Sequence, residues 1–222
     1  MGIHPHAVGS LRERLTHVVW LGGGTRVGKT TLSRLLAGKY DLKLYNLDWH
    51  HVREHRSRGG AAMRWWDERG VDERWIVPGD AELLERSVAG WEEGFPLVIH
   101  DLLALRESRA ILAEGPGALP WLVAPLITDQ RQALWLVPTP EWRDDIARLR
   151  YGELGPLGDA TDPQEAARKL RDRDLALNGR IFKECAALGI RCIEVDGSKD
   201  IDVMTALVEE HFRPHLPDTL NV

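Results

Sequence analysis

The stretch GGGTRVGKTT, Gly22 to Thr31, narrows what this chain can fold into more than any other. Gly23 to Thr30 fit the spacing G-x-x-x-x-G-K-[ST]. A short apolar, β-branched run precedes it, HVVWL from His17 to Leu21, and reads as a buried strand. The segment that follows, KTTLSRLLAGK from Lys29 to Lys39, carries Leu32, Leu35 and Leu36 at helical spacing. Glycines let a backbone curl round a tetrahedral anion without Cβ clashes, so several N–H groups point inward. The helix behind the loop adds free N–H groups and the positive end of its dipole. Lys29 supplies a point charge, and the Thr30 hydroxyl can meet Mg²⁺. The expected cradle is therefore Gly23, Gly24, Thr25, Arg26, Val27, Gly28, Lys29, Thr30 and Thr31. A dinucleotide fingerprint G-x-G-x-x-G does not fit, because its glycines fall in the wrong places. The loop is expected to hold a nucleoside triphosphate, with Mg²⁺ at the Thr30 hydroxyl.

Further strands are expected at Leu42 to Leu47 (LKLYNL), Ala110 to Ala113 (AILA), Ala133 to Val137 (ALWLV) and Ile190 to Val195 (IRCIEV). Helices are expected from His50 to Arg58, from Asp80 to Glu93 with Gly94 past the end, and from Pro140 to Leu149. Two more run from Pro163 to about Cys185 and from Ile201 to Phe212. The piece LVIHD, Leu97 to Asp101, looks like a magnesium-binding strand end. Its apolar run continues past Asp101, however, and Phe95, Val98, Leu102 and Leu105 share a helical face. A strand there would also leave too little chain for a parallel crossover to AILA, so 95–105 reads as a helix. Strands and helices alternate, which implies a parallel sheet covered on both faces.

A chain of 222 residues suits one domain, here 1–222 with its core at 17–212. An acceptor-binding insert is expected at about 49–94 and a small lid at about 150–163, where YGELGPLGDATDP is rich in Gly, Pro and Asp. A net charge of -5 argues against nucleic acid as a partner. No apolar run is long enough to span a membrane and no leader is visible, so a cytoplasmic protein is expected, as a monomer or homodimer. Cys185 and Cys192 lack metal-binding spacing and read as reduced thiols.

Several residues beyond the loop can carry chemistry. Asp48 follows the second strand, so it should project near the loop, where a carboxylate can accept the proton of an attacking hydroxyl or simply cap the helix at 50–58. Glu114 ends the AILA strand, where it can hold Mg²⁺ or cap the next element. Arg148 and Arg150 precede the lid, and Arg168, Arg171 and Arg173 follow it; arginines so placed can offset charge on a transferring phosphoryl group, and Arg148 is the one assigned that role. Trp49, Trp65, Trp66 and Trp75 can build core or line a pocket. His51 and His55 have a spacing that suits zinc on a helix, but no third ligand is evident. His50, Arg53 and Arg56 can instead meet an anionic substrate.

Taken together, GGGTRVGKTTLSRLLA, YNLD, DERW, FPLVIHDLLAL, ILAEGPGALPWLVAPL, LWLVPTPEW and RDRDLALNGRIFKECAALGIRCIEVDG resemble the P-loop small-molecule kinases of the nucleoside-monophosphate-kinase-like group. More closely, they are similar to uncharacterised bacterial P-loop ATPases. The resemblance implies an α/β fold: a three-layer α/β/α sandwich whose five-stranded parallel sheet has the P-loop strand in the middle, with a small lid. It implies phosphoryl transfer from Mg-ATP to a small hydroxylated acceptor, with Asp48 as base. It places adenine against the loop after the last strand, at Gly197 within Asp196 to Lys199. A nucleoside or nucleotide kinase is the alternative enzyme, and a nucleotide-dependent regulatory protein the alternative of another class. Two departures count against a nucleoside monophosphate acceptor: Glu114 stands where many such kinases carry Asp, and the lid is poor in arginine.

Overall fold

The computed structural model describes residues 5–105, 109–152 and 155–218. The first helix, α1 (Pro5–Arg14), leads into β1 (Val18–Gly23), α2 (Lys29–Tyr40) and β2 (Lys43–Asn46). A continuous helical run follows: α3 (Leu47–His50), a π turn (His51–His55) and a 3₁₀ turn (Arg56–Arg58). Next come α4 (Ala61–Asp67), α5 (Val71–Trp75), α6 (Asp80–Ala104), β3 (Ile111–Glu114) and α7 (Pro120–Val123). The chain ends in β4 (Ala133–Pro138), α8 (Pro140–Tyr151), α9 (Pro163–Leu188), β5 (Cys192–Val195) and α10 (Ile201–Phe212).

The sheet is five-stranded and wholly parallel, in the order β2-β3-β1-β4-β5. The P-loop strand β1 is thus central, as expected. Alternation along each strand divides the core into two layers. Trp20, Ala113, Trp135 and Val137 face one side, where Val88, Phe95, Val98 and Leu102 of α6 and Leu177 and Ile181 of α9 cover them. Val19, Leu21, Leu112, Leu134 and Leu136 face the other, under Leu32 and Leu36 of α2 and Met204, Val208 and Phe212 of α10. Both faces are apolar, which is why these strands read as continuous hydrophobic runs. The result is the three-layer P-loop α/β fold.

Two expected helices merge into one. Gly94 does not end the helix begun at Asp80; α6 runs 25 residues through Gly94 and Pro96 to Ala104. Gly94 has no positive φ and caps nothing. It is buried, and a Cβ there would stand only 3.1 Å from His51 Nδ1, which leaves room for glycine alone. Pro96 removes one hydrogen bond, and the helix survives because its buried stripe continues unbroken on either side. The helical run after β2 starts at Leu47 rather than His50, because Asn46 caps it: Asn46 Oδ1 accepts from Trp49 N at 2.7 Å. Asp48 is therefore free of the capping role. Gly189 does end α9, in the left-handed region at φ 67.

The register sets the carboxyl edge of the sheet. Glu114 pairs with Leu21 of β1 on one side and with Asn46 of β2 on the other. The ends of β1, β2 and β3 thus deliver the P-loop, Asp48 and Glu114 to one place, where ligands of open α/β sheets bind. Among the described residues, no helix is long and apolar enough to cross a membrane.

Candidate functional site

Between β1 and α2 the backbone takes positive φ at Gly23 (117), Arg26 (65) and Gly28 (83). Arg26 is not glycine, and the left-handed region costs such a residue about 1 kcal/mol. Its side chain offsets that cost: Arg26 Nη1 donates to Asp174 Oδ2 at 2.8 Å. Thr25 Oγ1 donates to the same oxygen at 3.1 Å. Asp174, on α9, thereby anchors the crown of the loop. Gly28 precedes α2 without any side-chain cap, so the first N–H groups of that helix stay available to an anion.

Lys29 is buried, and its ammonium donates to Gly23 O at 3.1 Å and to Gly24 O. Burial lowers its pKa, while Asp48, Glu114 and Asp174 act to raise it. Thr30 Oγ1 donates to Glu114 Oε1 at 3.0 Å, and Asn46 Nδ2 donates to that same oxygen. The hydroxyl and the carboxylate are hard oxygen donors of the kind Mg²⁺ takes, and they lie where the P-loop meets its helix. Asp101, the other acid that resembled a magnesium ligand, lies in α6 and does not line this cleft.

Asp48 lines the same cleft as Lys29, Thr30 and Glu114, a space of about 800 Å³. Water reaches the carboxylate through the open cleft, yet protein walls crowd it. That desolvation pushes its pKa up to about 6; Lys29 pulls it down, Glu114 pushes it up and Arg173 pulls it down again. It is an acid poised near neutrality beside a phosphate cradle.

The arginines sort differently from the sequence expectation. Arg148 does not line the cleft; it is exposed and pairs with Asp145 at 3.3 Å. The last turn of α8 points it to solvent, so its proximity to the lid in sequence misleads. Arg168 pairs with Glu165, Asp80 and Asp172, and Arg171 with Asp144. Arg26, Arg150 and Arg173 do line the cleft. Arg173 is buried under Trp75 (5.3 Å) and Trp91 (5.9 Å), with Nη2 3.1 Å from Asp174 Oδ1. Arg143 Nη2 also reaches Asp174 Oδ2, at 3.0 Å. One carboxylate thus gathers three guanidinium groups beside the phosphate cradle.

Gly197 follows β5 with φ 83 and lies against the Trp142 ring at the cleft rim. Of the clustered tryptophans, Trp75 alone lines the cleft. Trp65 and Trp66 pack on one another and on α6, with Trp66 Nε1 donating to Arg86 O at 3.2 Å. Residues 153–154 of the expected lid lie outside the described residues. Asn46 and Asp174 were not singled out by sequence. YNLD and RDRD contained them, but only the fold reveals that each joins two site elements.

No family model and no curated protein matches the chain. Solved structures similar to it include shikimate kinase from Bacteroides thetaiotaomicron, at TM-score 0.49 and 15% identity, covering 88% of this chain and 98% of that one. Another is an uncharacterized protein from Eubacterium ventriosum, at TM-score 0.43 and 14% identity, covering 89% and 98%. These overlaps are too loose to bear on the chemistry, which rests on the strand order and the geometry of the cleft.

Proposed function

We propose that the chain is an ATP-dependent phosphotransferase that moves the γ-phosphoryl group of Mg-ATP to a hydroxyl of a small molecule. The observation that carries this reading is Asp48: a carboxylate with a pKa near neutrality faces the same cleft as the P-loop lysine and the Thr30–Glu114 pair. A loop that only bound nucleotide would have no use for an acid so placed.

The P-loop amides and Lys29 hold the β- and γ-phosphates, with Lys29 leaving its carbonyl partners for the phosphate oxygens. Gly197 and Trp142 offer a surface for the adenine. Thr30 and Glu114 would hold Mg²⁺, which neutralises charge on the bridging phosphates when bound. Above pH 6 Asp48 is ionised and accepts the proton of the acceptor hydroxyl. The hydroxyl oxygen forms a bond to γ-phosphorus as the bond to the β–γ bridging oxygen breaks, and ADP leaves. Arg173 and Arg150 offset the charge that develops on the equatorial oxygens. Trp75 and Pro116 line the cleft and would form its wall on the acceptor side.

The test is ADP release from Mg-ATP across a panel of nucleosides, nucleotides, sugars, amino alcohols and aminoglycosides, with Lys29→Ala as control. One class should raise the rate well above the water background, and Lys29→Ala should abolish the rise. ATP binding with no acceptor-dependent rate on any class would oppose the reading and favour a nucleotide-dependent switch.

A further inference from the structure

Outside the cleft, a cluster of imidazoles and carboxylates has no part in the chemistry above. One ring nitrogen of His50, a carboxylate oxygen of Glu54 and one of Asp101 lie within 4.8 Å of one another. None of the three residues lines the nucleotide cleft. We infer that His50, Glu54 and Asp101 form a binding site for a divalent transition-metal ion, for which Zn²⁺ is the natural probe.

Local geometry supports a built site. His50 Nδ1 stands 2.6 Å from Glu54 Oε2, and the His50 ring stacks on Tyr45 at 4.1 Å with 4° between planes, which fixes its orientation. Asp101 Oδ2 accepts from Tyr45 Oη at 2.9 Å and faces His55 Nε2 at 2.7 Å. Two neighbours therefore lock one oxygen of Asp101. The other, Oδ1, has only looser ones: His100 Nδ1 at 3.4 Å and Arg58 Nη1 at 3.6 Å. Outer partners that lock a carboxylate while leaving an oxygen open are what a metal site requires.

His55 adds an independent observation. It is fully buried, and its Nδ1 has no hydrogen-bond partner. A π turn spans His51–His55. Its extra residue per turn leaves the His55 ring 6.1 Å from the His50 ring, so residues five apart both face Asp101; an α-helix would turn one of them away. Sequence spacing suggested His51 with His55, but His51 packs against Gly94 instead.

One imidazole and two carboxylates make a borderline nitrogen and oxygen donor set, which suits Zn²⁺ and its neighbours better than Mg²⁺. His100, with 69% of its side chain exposed, can swing in as a fourth donor, and Arg58, at 43%, can swing out. The ion would tie the segment that carries Asp48 to the end of α6.

The experiment is titration of the metal-free, untagged full chain with Zn²⁺ against a competing chelator, and with Co²⁺ followed by visible absorption. The wild type should take up a single equivalent of Zn²⁺, and its Co²⁺ form should show the d–d bands of a low-coordinate nitrogen–oxygen site. His50→Gln and Glu54→Gln should each weaken Zn²⁺ binding by about ten-fold or more. Glu114→Gln should leave it unchanged. Glu54 is exposed and His50 only half-buried, so those variants keep the test open if Asp101→Asn fails to fold. Absence of Zn²⁺ binding, wild-type affinity in the His50 and Glu54 variants, or loss of binding in Glu114→Gln would each overturn the proposal. None of these readouts depends on kinase activity.

Discussion

Thr30 Oγ1 donates to Glu114 Oε1 across 3.0 Å, joining the end of the P-loop to the end of β3. Asn46 holds the same carboxylate oxygen from β2 and at the same time caps α3, the helix that carries Asp48. A single carboxylate therefore ties together the phosphate cradle, the expected metal ligands and the expected base. Glu114→Gln keeps the shape but removes the charge. It should raise the Mg²⁺ concentration needed for half-maximal turnover by about 10- to 100-fold. ATP binding measured in EDTA should change little. Unchanged Mg²⁺ dependence would remove Glu114 from the metal site.

Asp174 holds the P-loop in shape from a distance. Burial alone would raise its pKa; Arg173, Arg143 and Arg26 outweigh that and hold it below the usual carboxylate range. A depressed carboxyl pKa contributes stability that is present above the unfolded value and lost as pH falls through the folded one. Stability should therefore drop below pH ~4, and Asp174→Asn should flatten that limb. Removing the charge leaves buried guanidinium groups uncompensated, at a cost of about 3–5 kcal/mol. Urea denaturation of the two proteins at pH 7 and at about pH 3, inside that limb, checks both.

The arginines separate cleanly. Arg148→Ala should leave turnover unaltered and stability within about 0.5 kcal/mol, because both partners of its pair with Asp145 are exposed. Arg173→Lys keeps the charge but loses the guanidinium that lies over the Trp75 and Trp91 rings, and turnover should fall by about 10²-fold or more. Steady-state kinetics of the pair would show whether the cleft or the lid sequence predicts the functional arginine.

The pH profile should report Asp48. Its pKa is raised to about 6, chiefly by desolvation. The ionised form is the base, so kcat/KM for the acceptor should climb through pH 6 and level off above it. A profile without an acid limb between pH 5 and 7 would exclude Asp48 as the group that titrates.

Much of this was legible in the sequence because it is local. A β-branched run before a glycine loop and a leucine-spaced helix after it already specify a strand, an anion cradle and a helix. Asp48 and Glu114 were legible for a related reason: the ends of parallel strands converge, so an acid just after a strand reaches the site whatever the rest of the chain does. Other features were hidden because they depend on distant partners. Gly94 reads as a helix end by its neighbours alone, and only the packing of His51 explains it as a helix interior. Arg148 is beside the lid in sequence, but the phase of α8 turns it outward. Asp174 sits in the charged run RDRD, and only the packing of α9 against the P-loop singles it out. The three-ligand cluster of His50, Glu54 and Asp101 needs α6 to run straight through Pro96 before Asp101 can reach it.

The measurement that bears most directly on the central claim is acceptor-dependent ADP release by Asp48→Asn, alongside nucleotide affinity for the same protein. The account predicts that ATP affinity stays within a few-fold of wild type while the acceptor-dependent rate falls by about 10²- to 10⁴-fold. An unchanged acceptor-dependent rate with normal ATP binding would contradict it.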